Sequence, residues 1–523
     1  MKKIGIAILL FTVLGMTACF EDDSTLGTVE VGDIEIAALR DTSIVSYNDN
    51  VLHVEPVVTA GYSEDEMNYA WYIHGGQFDE DGDVPGGYRT NCISEEKVLD
   101  YEVNLPSGVY TLTFEAMADN GYAKTTRMSL TVSTPFSQGF YLLKETADGN
   151  TEVDLLTQDG LRSDLLTEMQ GVPLDGKPLG MSIVYASGYI NEDNQQLESG
   201  NVLHVSSEDD YRGFRTEDMG EVFNLSNLAY TPFEAGEVPL NMIENISSIY
   251  MATNKGIYTT NNAYMGETSS KFGLPMYEGG SKHFFSMAMS YYFVFWNEMT
   301  HSLCDAHSSE LPWELPAGID QAALSCLASG MNVYNSIETA WFLLEDGTSG
   351  KRLLALVSGD MYSGVSITEL REVPVGTHLA EGNLFASVGM GAYALYVVDG
   401  NLLYMYNLGS GREDNVPLNG LDGGTITYIG NNYMNSRDFY GADMDGNFNY
   451  LLVATGDANS YKLHFYDNLV SGAPAGTPFQ VIDGMGALKG VRYLSMTFDV
   501  SNWMNASNMW TGEVYGPCYP FEM

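Results

Sequence analysis

Residues 249–260 read IYMATNKGIYTT, two short runs of β-branched and aromatic residues around Asn254-Lys255-Gly256. Isoleucine, tyrosine and threonine suit a pleated, half-buried surface, and Asn and Gly accept the positive φ of a tight reversal. The stretch reads as an antiparallel hairpin. Comparable units lie on both sides of it. Asp148-Gly149 follows FYLLKETA, Glu208–Asp210 follows NVLHVSS, and YYFVFW leads to a turn near Glu298. Asp346-Gly347 follows AWFLLE, and Asp399-Gly400 separates ALYVV from NLLYMY; Asp445-Gly446 and Gly456-Asp457 complete the series. The interval is irregular but centres on roughly 45–60 residues, the size of a four-stranded blade with its loops. The expected fold is all-β, with a β-propeller of about seven blades over residues 136–523. A pair of β-sandwiches is the alternative use of the same strands. Composition agrees with β structure, with 55 Gly, 34 Tyr and 22 Phe. Only Arg162–Gly171, with Leu165, Leu166 and Met169, has helical spacing.

Residues 28–135 carry a different punctuation. LHVEPV (52–57) alternates, MNYAWYI (67–73) places Trp71 in a strand, and VYTLTFEA (109–116) alternates up to a turn at Asp119-Asn120-Gly121. Thr126–Val132 alternates again. One tryptophan in a middle strand followed by a terminal hairpin suits a sandwich of about 100 residues. The closing pair GVYTLTFEAMADNGYAKTTRMSLTVST and the strand NYAWYI resemble PKD-type, immunoglobulin-like domains, which implies a PKD-like β-sandwich here.

The N-terminus directs the chain to an envelope. Lys2 and Lys3 precede the apolar run Ile4–Leu14, and Met16-Thr17-Ala18 lead to Cys19. A charged start, a short apolar core and small residues before a cut site make residues 1–18 a secretory signal peptide. The run is shorter than the roughly 20 residues needed to span a bilayer. Cys19 at the cut site resembles the lipobox of bacterial lipoproteins, which implies acylation of its thiol. Residues 19–27 then form a lipidated tether. Glu21, Asp22 and Asp23 resemble the surface-export signal of Bacteroidetes lipoproteins, implying an outer-membrane protein that faces outward.

Lipobox, acidic signal, PKD-like domain and β-rich remainder together resemble a family of Bacteroidetes surface lipoproteins. That resemblance implies an accessory to an outer-membrane transporter and its lid lipoprotein, of the starch-utilisation-system type. The expected function is non-catalytic binding of an external nutrient, glycan or peptide. A propeller-type glycosidase with paired carboxylates and a structural or adhesin-like spacer are the competing functions.

Charge narrows the partners. Lys and Arg total 23 against 69 Asp and Glu, a net charge of −46. Such a surface repels phosphate backbones, so nucleic acid is not an expected partner. No GxSxG elbow, HExxH helix, P-loop or dinucleotide fingerprint occurs. The eight histidines are scattered; His301 and His307 flank Cys304 at a spacing that matches no standard ligand set. Cys92, Cys304, Cys326 and Cys518 allow three disulfide connectivities. No cofactor is expected, with calcium the one candidate: Asp79, Asp81 and Asp83 alternate as a calcium loop does, but Val84 stands where glycine should turn the chain.

Aromatic side chains are the candidate binding residues, because sugars and peptide side chains stack on exposed rings. Trp503, Trp510, Tyr515 and Tyr519 crowd the C-terminal segment, and Trp313 lies between Pro312 and Pro316. A propeller-closing strand would account for part of the C-terminal group.

Overall fold

Alternation along five strands builds the first unit around one tryptophan. The structure is a computed structural model that describes residues 32–45, 51–75, 87–191, 194–244, 248–261, 268–287, 292–305, 309–335, 337–360, 364–388, 392–434 and 448–494, with the short pieces 507–508 and 513–514. The chain divides into two compact units, Met1–Val132 and Ser133–Met523.

In the first unit a five-stranded sheet runs in the order Thr42–Val45, Ala123–Ser133, Gly108–Ala118, Met67–Gly75, Cys92–Ser94. Two short pairs complete it, Ile34–Ile36 with Val58–Ala60 and Val51–Val54 with Leu99–Glu102. Leu112, Phe114 and Ala116 point to one side of their strand and are fully buried with Trp71. The Trp71 ring lies 4.8 Å from that of Phe114, and its Nε1 donates to the Lys97 carbonyl at 3.2 Å. Its apolar body and its one donor are both satisfied.

The second unit is all-β as well, and its described residues form seven four-stranded antiparallel sheets. Six are built from consecutive strands, over residues 178–224, 239–278, 284–310, 324–372, 384–415 and 426–485. The seventh joins the two ends of the unit: Ala487–Leu494 pairs with Gly139–Glu145, followed by Thr151–Thr157 and Gly160–Arg162. The joining strand thus precedes the aromatic C-terminal segment, which lies outside the described residues apart from the two short pieces. First strands of neighbouring sheets touch. Pro178–Ile190 meets both Pro239–Glu244 and Ala487–Leu494, and Ile426–Met434 meets Leu384–Ser387 and Ala487–Leu494.

The turns quoted from the sequence have one position in common. Asp148-Gly149, Glu208–Asp210, Asn254–Gly256, Glu298, Asp346-Gly347, Asp399-Gly400 and Gly456-Asp457 each fall between the second and third strands of a sheet, counting Ala487–Leu494 as the first of its own. Asp445-Gly446 lies outside the described residues. Central strands read as unbroken apolar runs because both of their faces are covered. Tyr141 and Leu143 pack with Leu203, Val205 and Phe214 of one neighbouring sheet, while Leu142 packs with Leu452, Leu463 and Phe465 of the other.

A short helix, Leu165–Gln170, occupies the stretch with helical spacing. Glu152, itself buried, accepts the N–H groups of Leu166 (3.1 Å) and Thr167 (2.8 Å) at its first turn. A carboxylate there meets otherwise unpaired donors. Gly171 ends the helix at φ 86°, a conformation that favours glycine.

Candidate functional site

Antiparallel geometry decides which side chains can meet at one end of these sheets. A turn between second and third strands lies at the end where the first strand begins, and so does the connection from the preceding sheet. A cavity of about 690 Å³ opens at this end. Its wall takes the starts of three first strands, at Leu384, Ile426-Thr427 and Ala487–Lys489, and two turns, Thr146–Gly149 and Asp457-Ala458.

The turns hold their shape through their own polar groups. Asp457 accepts the N–H groups of Asn459 (2.8 Å) and Ser460 (3.1 Å), and Thr146 Oγ1 accepts that of Asn150 (3.1 Å). Ile426 and Leu488 are buried, giving the wall apolar ground. Glu145, Asp148 and Asp457 supply acceptors, while Lys489, Asn383 and Thr427 supply donors. Lys489 Nζ lies 3.0 Å from Glu145, with both side chains partly exposed. A pair of that kind contributes up to about 1 kcal/mol and can be exchanged for a ligand at little cost. Apolar ground with a few convergent polar groups is the build of a small-ligand site.

Trp313 stands at the same end, in the connection between the sheets at 284–310 and 324–372. Its ring is half-buried and meets Trp296 edge-on, with centroids 6.3 Å apart. Trp296 Nε1 donates to Glu298 at 3.2 Å, and burial of the carboxyl group raises the Glu298 pKa above the ordinary range. His301 Nδ1 bonds the Leu324 carbonyl at 2.7 Å, joining its turn to the next sheet.

Cys19, Glu21, Asp22, Asp23, Asp79, Asp81, Asp83, Trp503, Trp510, Tyr515 and Tyr519 lie outside the described residues, as do His307 and Cys518. Cys92, Cys304 and Cys326 form no disulfide among the described residues, and burial pushes the Cys304 thiol up to about 11. Among the described residues no group of His, Cys, Asp and Glu is placed to hold a metal. The sequence does not mark the cavity residues, because turn formation already accounts for Asp148 and Asp457.

The fold and the cavity define a two-unit, all-β chain with a cleft at the strand-start end of its larger unit. Residues 19–178 match the model of the PKD-like family. The match takes in the first unit from Cys19 onward and runs through the first three strands of the second. No curated protein matches the chain. Among solved structures, a dihydro-heme d1 dehydrogenase, NirN, is 9% identical with a TM-score of 0.36, covering 70% of this chain and 76% of that one. A DUF4784 family protein from Bacteroides caccae is 9% identical with a TM-score of 0.26, covering 86% and 98%. A Bacteroides ovatus protein of a mixed-linkage glucan utilisation locus, SGBP-B, solved with a heptasaccharide, is 13% identical with a TM-score of 0.16, covering 51% and 65%. Likenesses of this size carry no argument about what the present chain binds.

Proposed function

We propose that this protein is a lipid-anchored, outward-facing surface protein that binds an external nutrient, glycan or peptide, beside an outer-membrane transporter and its lid lipoprotein. The observation that carries the binding role is the cavity of about 690 Å³, with its mixed apolar and polar wall. The second unit acts as a seven-bladed propeller. Seven four-stranded sheets, one shared between the two ends of the unit, and touching first strands support this. Trp313, at the same end as the cavity, offers a stacking ring, and Trp503, Trp510, Tyr515 and Tyr519 are further candidates. The first unit serves as a spacer between anchor and binding unit, and the spacing of Asp79, Asp81 and Asp83 makes them the candidate calcium ligands.

Asn383 lines the cavity from an exposed position, so a larger side chain there should leave folding intact. On glycan and peptide arrays, the full chain carrying Asn383→Trp is expected to lose at least tenfold in affinity for whatever the wild type retains. An unchanged array pattern would place binding elsewhere. For the anchor, Cys19→Ala removes the thiol that would accept lipid, and labelled fatty acid should no longer be incorporated. Replacing Glu21, Asp22 and Asp23 together by Ala should make the protein protease-protected in whole cells. Lipid on the Cys19→Ala protein, or unaltered protease access in the triple variant, would remove the anchor or the outward orientation respectively.

A further inference from the structure

Six aromatic rings meet where the sheet that joins the ends of the unit packs against the sheet at 426–485. Phe140 lies 4.7 Å from Tyr493 and 5.2 Å from Phe465, centroid to centroid. Phe448 stacks on Tyr450 at 4.5 Å, and Phe479 meets Tyr450 at 4.8 Å. Phe140 and Phe448 stand at the starts of second strands, Tyr493 and Phe465 near the ends of a first and a third, and Phe479 directly before a fourth. In antiparallel sheets these positions share one end, the end away from the cavity.

Only Phe465 of the six is fully buried; Phe479 is 50% exposed and the other four are half-buried. Ring pairs between other neighbouring sheets are closed. Tyr250 packs on Phe293, and Phe285 on Phe342, with all four side chains buried. Rings left at the surface forgo that burial, and an apolar patch with a polar rim marks an interaction site. The rim here is made of amides and one carboxylate. Gln138 Nε2 donates to Tyr493 Oη at 3.1 Å. Asp467 is opposite Tyr450 in register and Gln480 opposite Phe465, which puts both side chains on the ring side. All three rim residues are exposed. The Asp467 carboxylate is close enough to add to the burial that raises the Tyr450 pKa.

We propose that these rings form a second binding site, for a neutral oligosaccharide, at the end of the unit opposite the cavity. Three features favour this occupant. Ring faces attract the C–H faces of a sugar, while the amides, the tyrosine hydroxyls and Asp467 accept from and donate to its hydroxyl groups. The one formal charge on the rim is negative, in a chain of net charge −46, which repels acidic sugars and anionic lipid headgroups. The strands that bear Phe140, Phe448, Tyr450 and Phe465 are paired on both sides, so their main chain offers no edge to an extended peptide. The site is separate from the cavity and does not rest on the binding role given to it. An open surface encloses less of its ligand than a cavity does, so the platform is the weaker of the two sites.

Saturation-transfer NMR on the full chain carrying Asn383→Trp, a substitution that obstructs the cavity, reads the platform by itself. Maltohexaose, xylohexaose and laminarihexaose are the neutral probes. Trigalacturonate and a glycine–serine hexapeptide capped at both ends are the controls. At least one neutral hexasaccharide should receive saturation, and neither control should. In the same background Phe479→Ala should weaken that binding at least about fivefold, the loss of one stacked ring. Phe479→Leu keeps apolar bulk without the flat face; it should weaken binding to a similar extent, and it decides the matter if the alanine variant does not fold. No saturation of any neutral hexasaccharide, equal transfer to either control, or unchanged binding in the folded Phe479→Leu protein overturns the inference. The cavity reading fails separately, through array retention that Asn383→Trp leaves unchanged.

Discussion

Lys144→Met is expected to lower the stability of the second unit by about 3–5 kcal/mol in equilibrium urea unfolding. Lys144 is 1% exposed, and its Nζ lies 2.6 Å from Asp154, which is fully buried, and 2.8 Å from Asp164. Tyr461, from the sheet at 426–485, donates to the other oxygen of Asp154 at 2.7 Å. The Asp164 N–H donates to Asp154 at 2.8 Å. The group therefore ties the sheet that joins the ends of the unit to its neighbour. Methionine matches the volume of lysine but leaves the Asp154 charge buried with only neutral donors, which is the costly way to break an ion pair. Lys144→Met combined with Asp154→Leu should recover much of the loss, since an apolar pair avoids desolvating either charge. A double variant as unstable as the single one would show that packing, not the stranded charge, sets the cost.

The second large effect is an acid-side loss of stability through His204. Its ring lies between those of Tyr211 and Phe223, each with its centroid 6.0 Å away. Tyr211 Oη is 2.6 Å from Nδ1, and Nε2 is buried with no partner among the described residues. Burial disfavours the charged imidazolium and lowers the pKa from 6.5 to about 3. The unfolded chain therefore takes up a proton near pH 6.5 that the folded chain refuses until about pH 3. Stability falls as pH drops through that window, by about 1.4 kcal/mol per pH unit from this one group. Carboxylates add their own slope at the acid end, so the informative quantity is a difference. His204→Gln should unfold with one proton less in its pH dependence between about 6 and 4. Parallel profiles for the variant and the wild type would mean that His204 is charged in the folded protein.

Much of the fold was legible because turn chemistry is local. An Asx-Gly step can adopt positive φ whatever surrounds it, so the sequence locates each reversal without knowledge of the sheet to which it belongs. Trp71 was legible for a related reason, since a large ring in an alternating strand must face inward. The outer strands were harder to see. Tyr277-Glu278 and Ser309-Glu310 are two residues long, too short to carry a period. The candidate site was harder still. Trp313 stands out by composition, but Leu384, Ile426 and Leu488 look like any other strand residues. What distinguishes them is that three separate strands begin at one place.

The amino-acid sequence by itself determined the all-β class, the positions of seven chain reversals, the tryptophan-centred first unit and the acidic balance. Each follows from side-chain chemistry acting over a few neighbouring residues. Only the tertiary structure decided which strand completes the sheet that begins at Gly139, because Ala487–Leu494 has no local feature that marks it for that place. It also decided that Tyr461 should reach Asp154, 307 residues away in the chain, and that Lys489 should meet Glu145 at the wall of a cavity. Contacts of that kind pay loop-closure entropy before they gain any energy, so they form only when the packing of whole sheets brings the ends together.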